Sequence, residues 1–411
     1  MDSKLKLSIF VFLLVLTLFI TTMIISEYRN MNKLKFEYPD LSDDVYAYRK
    51  DSLRVWAIDL LLQFVVPFLF LITGLSQRIS IWASDNKGIF RSGLLYGLIF
   101  FTITFIINLP LRYYGSFHLA HKYGLTNQSI FRWLELNLKG FLVNDLILIF
   151  VLWIPYYIIL NNPKTWWLKL GILMVPIIIF VTFISPTIID PIFNEYSYIE
   201  DKELENEISK LLEKANIEDA DIFEVDKSRD TKMMNAYMTG IGKSKRIVLW
   251  DTTINNLEQE EVLAITAHEI GHYIEGHIWK SILLSSLGTL FIMYLLYLTS
   301  NRILEGSNGI FGFHNLGNYA SIPLLILVLN IYTFLGNPIM NYISRTMEVE
   351  ADGHEIILTE DREAATSAME KLQKESLGLP RPSKFYKIWY LTHPSLEERI
   401  EFYETYDISD H

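Results

Sequence analysis

The sequence predicts a mainly α membrane protein, in which seven transmembrane helices carry a small α+β module, and three observations predict it. Of the 411 residues 51% are hydrophobic, and mean hydropathy is positive despite a net charge of −11, a balance that soluble chains of this length rarely show. Apolar stretches long enough to cross a hydrocarbon core, roughly 20 helical residues, recur seven times between polar or Pro/Gly breaks. Between the fifth and sixth lies a long hydrophilic segment with helix and strand patterns of its own.

Taken in order, the predicted spans are 7–25, 55–75, 93–109, 141–160, 167–184, 278–298 and 322–339. Span one is followed by Ser26, Glu27 and Tyr28 rather than a small-x-small cleavage site, so it reads as an anchor and not as a signal peptide. Lys and Arg gather after span one (Arg29, Lys33, Lys35, Arg49, Lys50) and after span three (Arg112, Lys122, Arg132, Lys139). Basic loops face the cytoplasm, which puts 186–276 and the chain after Arg345 on that side too. In the hydrophilic segment 202–215 reads as a helix, and 221–225, 235–239 and 246–250 read as strands. A further helix, 256–275, runs toward span six with only Gly276 between them. Asp59, Asn144 and Asp145 interrupt the spans and are costly in lipid, so they are expected to face protein or a water-filled interior. Two domains follow: 1–185, a membrane region of five spans, and 186–411, which includes spans six and seven.

With no cysteine in the chain, any metal must be held by His and carboxylates. The acidic balance and the lack of a basic stripe exclude a nucleic-acid partner. Chemistry centres on His268-Glu269-Ile270-Gly271-His272. Four residues apart on a helix, the two histidines share a face and can bind one metal ion, zinc by ligand type, while Glu269 beside them is placed to act as a general base on water. A third ligand must come from elsewhere. His277 lies nine helical positions past His268, on the opposite face, and reads as a solvated histidine at a helix end. The segment 344–352 offers Glu348, with Asp352 one turn further on the same face and Glu350 about 200° away from Glu348. Glu348 is the economical third ligand, and Asp352 is placed to accept the outer N–H of a ligating histidine.

These residues resemble the type I CAAX prenyl proteases, whose HExxH and SRxxExxAD segments read here as HEIGH and SRTMEVEAD. Asn235-Ala236-Tyr237, Leu109-Pro110-Leu111, Lys122-Tyr123-Gly124 and the His393-Pro394 to Arg399-Ile400 segment extend the resemblance along nearly the whole chain. It implies one zinc ion held by His268, His272 and Glu348, with Glu269 as catalytic base. It also implies spans forming a hollow intramembrane chamber in which a peptide or protein substrate, prenylated at its C-terminus in the family's namesake reaction, is cut. Asn235, Ala236 and Tyr237 would form an edge strand that holds an extended peptide. His393 and Arg399 would donate to the oxyanion, although for Arg399 an ion pair with Glu348 or Asp352 is an equal reading. Asn341 and Arg345 are supporting residues beside the ligand helix. The membrane is a bacterial inner membrane or an endoplasmic reticulum membrane, with lipid as the chain's other partner and the catalytic side cytoplasmic. Two rival readings stay open: an HtpX-like quality-control protease, which has fewer spans, and a zinc-binding transporter or channel.

Overall fold

Every predicted apolar stretch forms a helix, and each helix outruns its apolar part. The computed structural model describes residues 1–217 and 220–407. Within them seven helices are long and apolar enough to cross a membrane: Ser3–Glu37, Asp43–Ile72, Ile89–Lys122, Ile130–Asn161, Trp166–Ile192, His277–Gly306 and Tyr319–Thr359. The polar extensions have local causes. Span two begins at Asp43 because the Ser42 hydroxyl accepts from the Asp44 amide and two acids fill the first turn, where the helix dipole favours them. Span four begins at Ile130 because Ser129 caps the Arg132 amide. An unpredicted helix, Leu75–Ser84, follows span two through the left-handed Gly74. Span one is part of the packed fold: its Glu27 is fully buried and accepts from Arg49 and from the Ser383 amide.

Spans two to seven neighbour one another in sequence order, and the ring closes with span seven against span two; span one lies against spans two and six. Even span seven, the most enclosed, buries only 39% of its most apolar stretch. Asp59 shares a cavity of about 360 Å³ between spans two and three with Arg112, Tyr48 and Ser52, polar company of the kind its position demands. Asn144 is exposed and Asp145 half-buried.

The small module is built on a four-stranded sheet of β1 (Tyr196–Tyr198), β2 (Asp221–Val225), β3 (Ala236–Thr239) and β4 (Arg246–Trp250) in the order β1-β2-β4-β3. β2 and β4 are parallel and the other pairs antiparallel, so β3 is an edge. β1 was not expected. Its helices are α1 (Lys202–Lys214), α2 (Asp251–Asn256), α3 (Gln259–Ile274), α4 (Arg362–Glu375), α5 (Lys384–Tyr390) and α6 (Leu396–Thr405). The helix expected over 256–275 is α3, and α2, ahead of it, was not expected. Leu257 is extended, and a reciprocal cap between Glu258 and Glu261 starts α3 afresh. One hydrophobic core joins the two hydrophilic segments, packing Ile208, Ile265 and Ile270 against Ile356, Ala365 and Tyr403. That core brings the chain after Arg345 onto α3.

Candidate metal centre

Three local features place the HEIGH residues. The cap of α3 is anchored from outside, because the Glu261 carboxylate accepts from Ser367 at 2.6 Å and from Lys371 at 2.7 Å, both on α4. Glu348 rides on a single helix, Ile322–Thr359, that continues span seven without a break. Gly271 lets the two helices meet, since a Cβ there would lie 2.8 Å from His354 Cβ and 3.0 Å from the Ala351 carbonyl oxygen. Gly271→Ala is therefore expected to push α3 off span seven, lowering stability by about 1–3 kcal/mol and weakening metal binding, which a thermal melt and a metal titration of the same sample would read.

The result is a tight cluster. His268 Nε2 lies 3.3 Å from Glu348 Oε2, His272 Nε2 lies 3.4 Å from Glu348 Oε1, and the two Nε2 atoms are 3.1 Å apart. His268, His272 and Glu348 are close enough to hold one metal ion. The donor set fits a cation on two counts. Glu348 Oε2 is buried and has no hydrogen-bond partner among the described residues, a cost a cation would remove. Burial, with the charge of His268 added, pushes His272 down to about 3, so its ring is neutral and a lone pair is available. Burial also lowers His268, but the carboxylates of Asp352, Glu348 and Glu355 around it outweigh burial and hold the ring well above its ordinary value. That pocket calls for positive charge.

Asp352 sits where the helical spacing put it, with Oδ1 2.8 Å from His268 Nδ1. Arg399, on α6, is turned to Asp352 through both Nε (3.1 Å) and Nη2, and Nη2 also donates to the Tyr403 hydroxyl at 2.9 Å. Of its two readings, the geometry supports the ion pair. Burial, opposed by His268, Arg399 and the Met238 amide and aided by Glu348, pushes the Glu269 carboxyl up to about 7. His393 is 59% exposed, with Nε2 3.5 Å from Glu348 Oε1. Arg345 donates to the carbonyls of Lys387 (3.0 Å) and Leu391, and Asn341 reaches that of Ile388 at 3.5 Å. Both tie the ligand helix to α5, and Arg345 also ties it, through Leu391, to the start of the loop that carries His393.

On the edge strand the Asn235 carbonyl accepts from the Trp250 amide, so ladder alternation turns the backbone groups of Ala236 and Met238 away from β4. The Ala236 amide is taken by Asn235 Oδ1 at 2.9 Å. The Ala236 side chain is buried in the core, and the Tyr237 hydroxyl meets that of Tyr196 at 3.2 Å.

One expectation was wrong. His277 is not solvated and does not face away from the centre: it is 5% exposed and its Nδ1 lies 2.8 Å from His272 Nδ1. Gly276 adopts φ 63° and ends α3 there, so counting along a continuous helix put His277 on the wrong face. Glu355 and Tyr403 were also missed. Glu355 is fully buried and accepts from the Tyr403 hydroxyl at 2.8 Å. Lying seven residues after Glu348, it shares that helix face and was open to the same spacing argument.

Comparison with known proteins agrees with this geometry. Residues 199–406 match peptidase family M48, and residues 40–195 match the CAAX prenyl protease N-terminal family with its five membrane helices. The chain is 36% identical over 342 residues to the uncharacterized metalloprotease YhfN of Bacillus subtilis, spanning 82% of this chain and 79% of that one. To CAAX prenyl protease 1 of Saccharomyces cerevisiae it is 29% identical over 316 residues, 73% of this chain and 69% of that one. The crystal structure of S. mikatae Ste24p has the same fold, with a TM-score of 0.79 at 23% identity over 95% of this chain and 99% of that one. With its HEIGH helix, its seven spans and these matches, the chain belongs to peptidase family M48 and is a multi-pass membrane metalloendopeptidase acting on peptide or protein substrates.

Proposed function

We propose that the chain cleaves peptide bonds at a single zinc ion held by His268, His272 and Glu348, and that its preferred substrates carry a prenylated C-terminus. The observation that carries the zinc assignment is the buried, unpartnered Glu348 Oε2 beside two histidine Nε2 atoms. When bound, zinc supplies Lewis acidity, polarising the scissile carbonyl and lowering the pKa of a water ligand toward about 7. Glu269 takes the proton of the attacking water and returns it to the leaving amine, and a carboxyl poised near 7 is suited to both transfers. His393, exposed beside Glu348, donates to the oxyanion. Asp352 and Arg399 hold His268 in place, Asn341 and Arg345 hold α5, and Arg345 also holds the start of the loop of His393. No acyl-enzyme forms, because water is the nucleophile.

The substrate lies extended along β3, whose edge position and outward Ala236 and Met238 carbonyls support strand addition. The prenyl preference draws its support from the relatives named CAAX prenyl protease 1. The cytoplasmic placing of the catalytic side is supported by the basic loops after spans one and three. The division into 1–185 and 186–411 is supported by the two matched ranges.

Chelation is expected to abolish cleavage of a reporter peptide by the detergent-solubilised chain, and about one equivalent of zinc to restore it. Comparing a farnesylated C-terminal peptide with its unmodified twin then tests the substrate. Faster cleavage of the farnesylated peptide is the expected result. Equal rates for both, or faster cleavage of an unfolded membrane protein, would replace prenyl processing with quality control and leave the metalloprotease assignment intact.

A further inference from the structure

The chain does not simply pass from α3 into the membrane. Left-handed Gly276 breaks the helix, and the ring of His277, the first residue of span six, lies against that of His272. The other ring nitrogen of His277, Nε2, lies 2.8 Å from Glu350 Oε2. Lys280 in turn reaches Glu350 at 3.0 Å and Glu275 at 3.2 Å.

The direction of each hydrogen bond follows from the job assigned to His272. An imidazole that lends its Nε2 lone pair to a metal carries its one proton on Nδ1. That proton points at His277 Nδ1, which must therefore be bare, so the proton of His277 sits on Nε2 and is donated to Glu350. We propose that His277 and Glu350 form a positioning relay, His272 to His277 to Glu350, that fixes the tautomer and ring orientation of the second metal ligand. The inference rests on the reading of His272 as that ligand. The two histidines of HEIGH are then held differently: His268 by the buried carboxylate Asp352 directly, His272 by a neutral ring with its carboxylate one residue further out.

A competing reading is that Glu275, His277 and Glu350, which lie close enough together, bind a metal ion of their own. Two features oppose it. The Lys280 ammonium already bridges the two carboxylates, and His277 Nδ1 is engaged by His272.

The test uses the full-length chain in detergent, with zinc affinity read by competition against a chromophoric chelator and ligand geometry read from the absorption spectrum of the cobalt-substituted protein. His277→Phe is expected to weaken zinc binding about 10–100-fold and to shift the cobalt bands. His277→Gln keeps an acceptor toward His272 and a donor toward Glu350, and is expected to recover most of the loss. Should the Phe variant fail to fold, Glu350→Ala, at a 40% exposed side chain, carries the same test with a smaller expected loss. Wild-type affinity and an unchanged cobalt spectrum in His277→Phe, or in Glu350→Ala where that variant stands in for it, would overturn the relay. So would two zinc ions per wild-type chain falling to one in His277→Phe. Failure of the ligand reading looks different: His272→Ala and Glu348→Ala would then bind zinc as tightly as the wild type.

Discussion

Replacing Glu269 with Gln is expected to abolish peptide hydrolysis while leaving the metal bound. The substitution keeps size and shape, and it leaves His268, His272 and Glu348 untouched. What it removes is proton chemistry: an amide neither takes a proton from the attacking water nor returns one to the leaving amine. General acid–base catalysis by a positioned group contributes roughly 10²–10⁴-fold, and here one group serves both transfers, so the loss falls at the upper end of that range or beyond. The expected pattern is a collapse of kcat at unchanged metal content, measured as cleavage per bound zinc. A Gln variant that keeps a tenth of the wild-type rate would sink the assignment of Glu269 as the base.

The second large effect is structural, and Arg399 carries it. Asp352 is 1% exposed and Glu355 fully buried, and the Arg399 guanidinium lies against both. In Arg399→Leu the two carboxylates lose their cation while remaining inside, and breaking a buried pair in this way costs about 3–5 kcal/mol. Stability and metal binding are expected to fall together, because Asp352 orients His268. Adding Asp352→Asn to Arg399→Leu removes one of the stranded charges and is expected to restore part of the stability, but not the metal affinity. Thermal denaturation and zinc titration of the two variants read these outcomes. If Arg399→Leu instead melts like the wild type and loses only turnover, Arg399 acts on the substrate oxyanion after all.

How much was legible in the sequence depended on how local the cause was. The two histidines of HEIGH, and Glu348 with Asp352, share their faces through spacings of four on one helix, and each pair stands in the structure as the spacing placed it. Glu355 lay on the same face and was legible by the same rule. The fate of Arg399 was not, because its partner lies 47 residues away on another helix and only the docking of α6 against span seven chose Asp352 for it. His277 shows the reverse failure, a local rule applied across a point where it does not hold. Gly276 was the sole sign in the sequence that the helix could end there, and a glycine between two helical patterns is as compatible with a continuous helix as with a break.

By itself, then, the sequence determined the membrane class, the positions of the seven spans and the residues with the chemistry of a metal centre, since hydropathy and helical periodicity are written in neighbouring residues. The tertiary structure decided what those residues are for. It closed the spans into a ring, set Gly271 of α3 against span seven so that Glu348 meets two histidines, committed Arg399 to Asp352, and brought the ring of His277 against that of His272. Each of these depends on the approach of segments far apart in the chain, or on one left-handed residue, and neither leaves a periodic trace in the sequence.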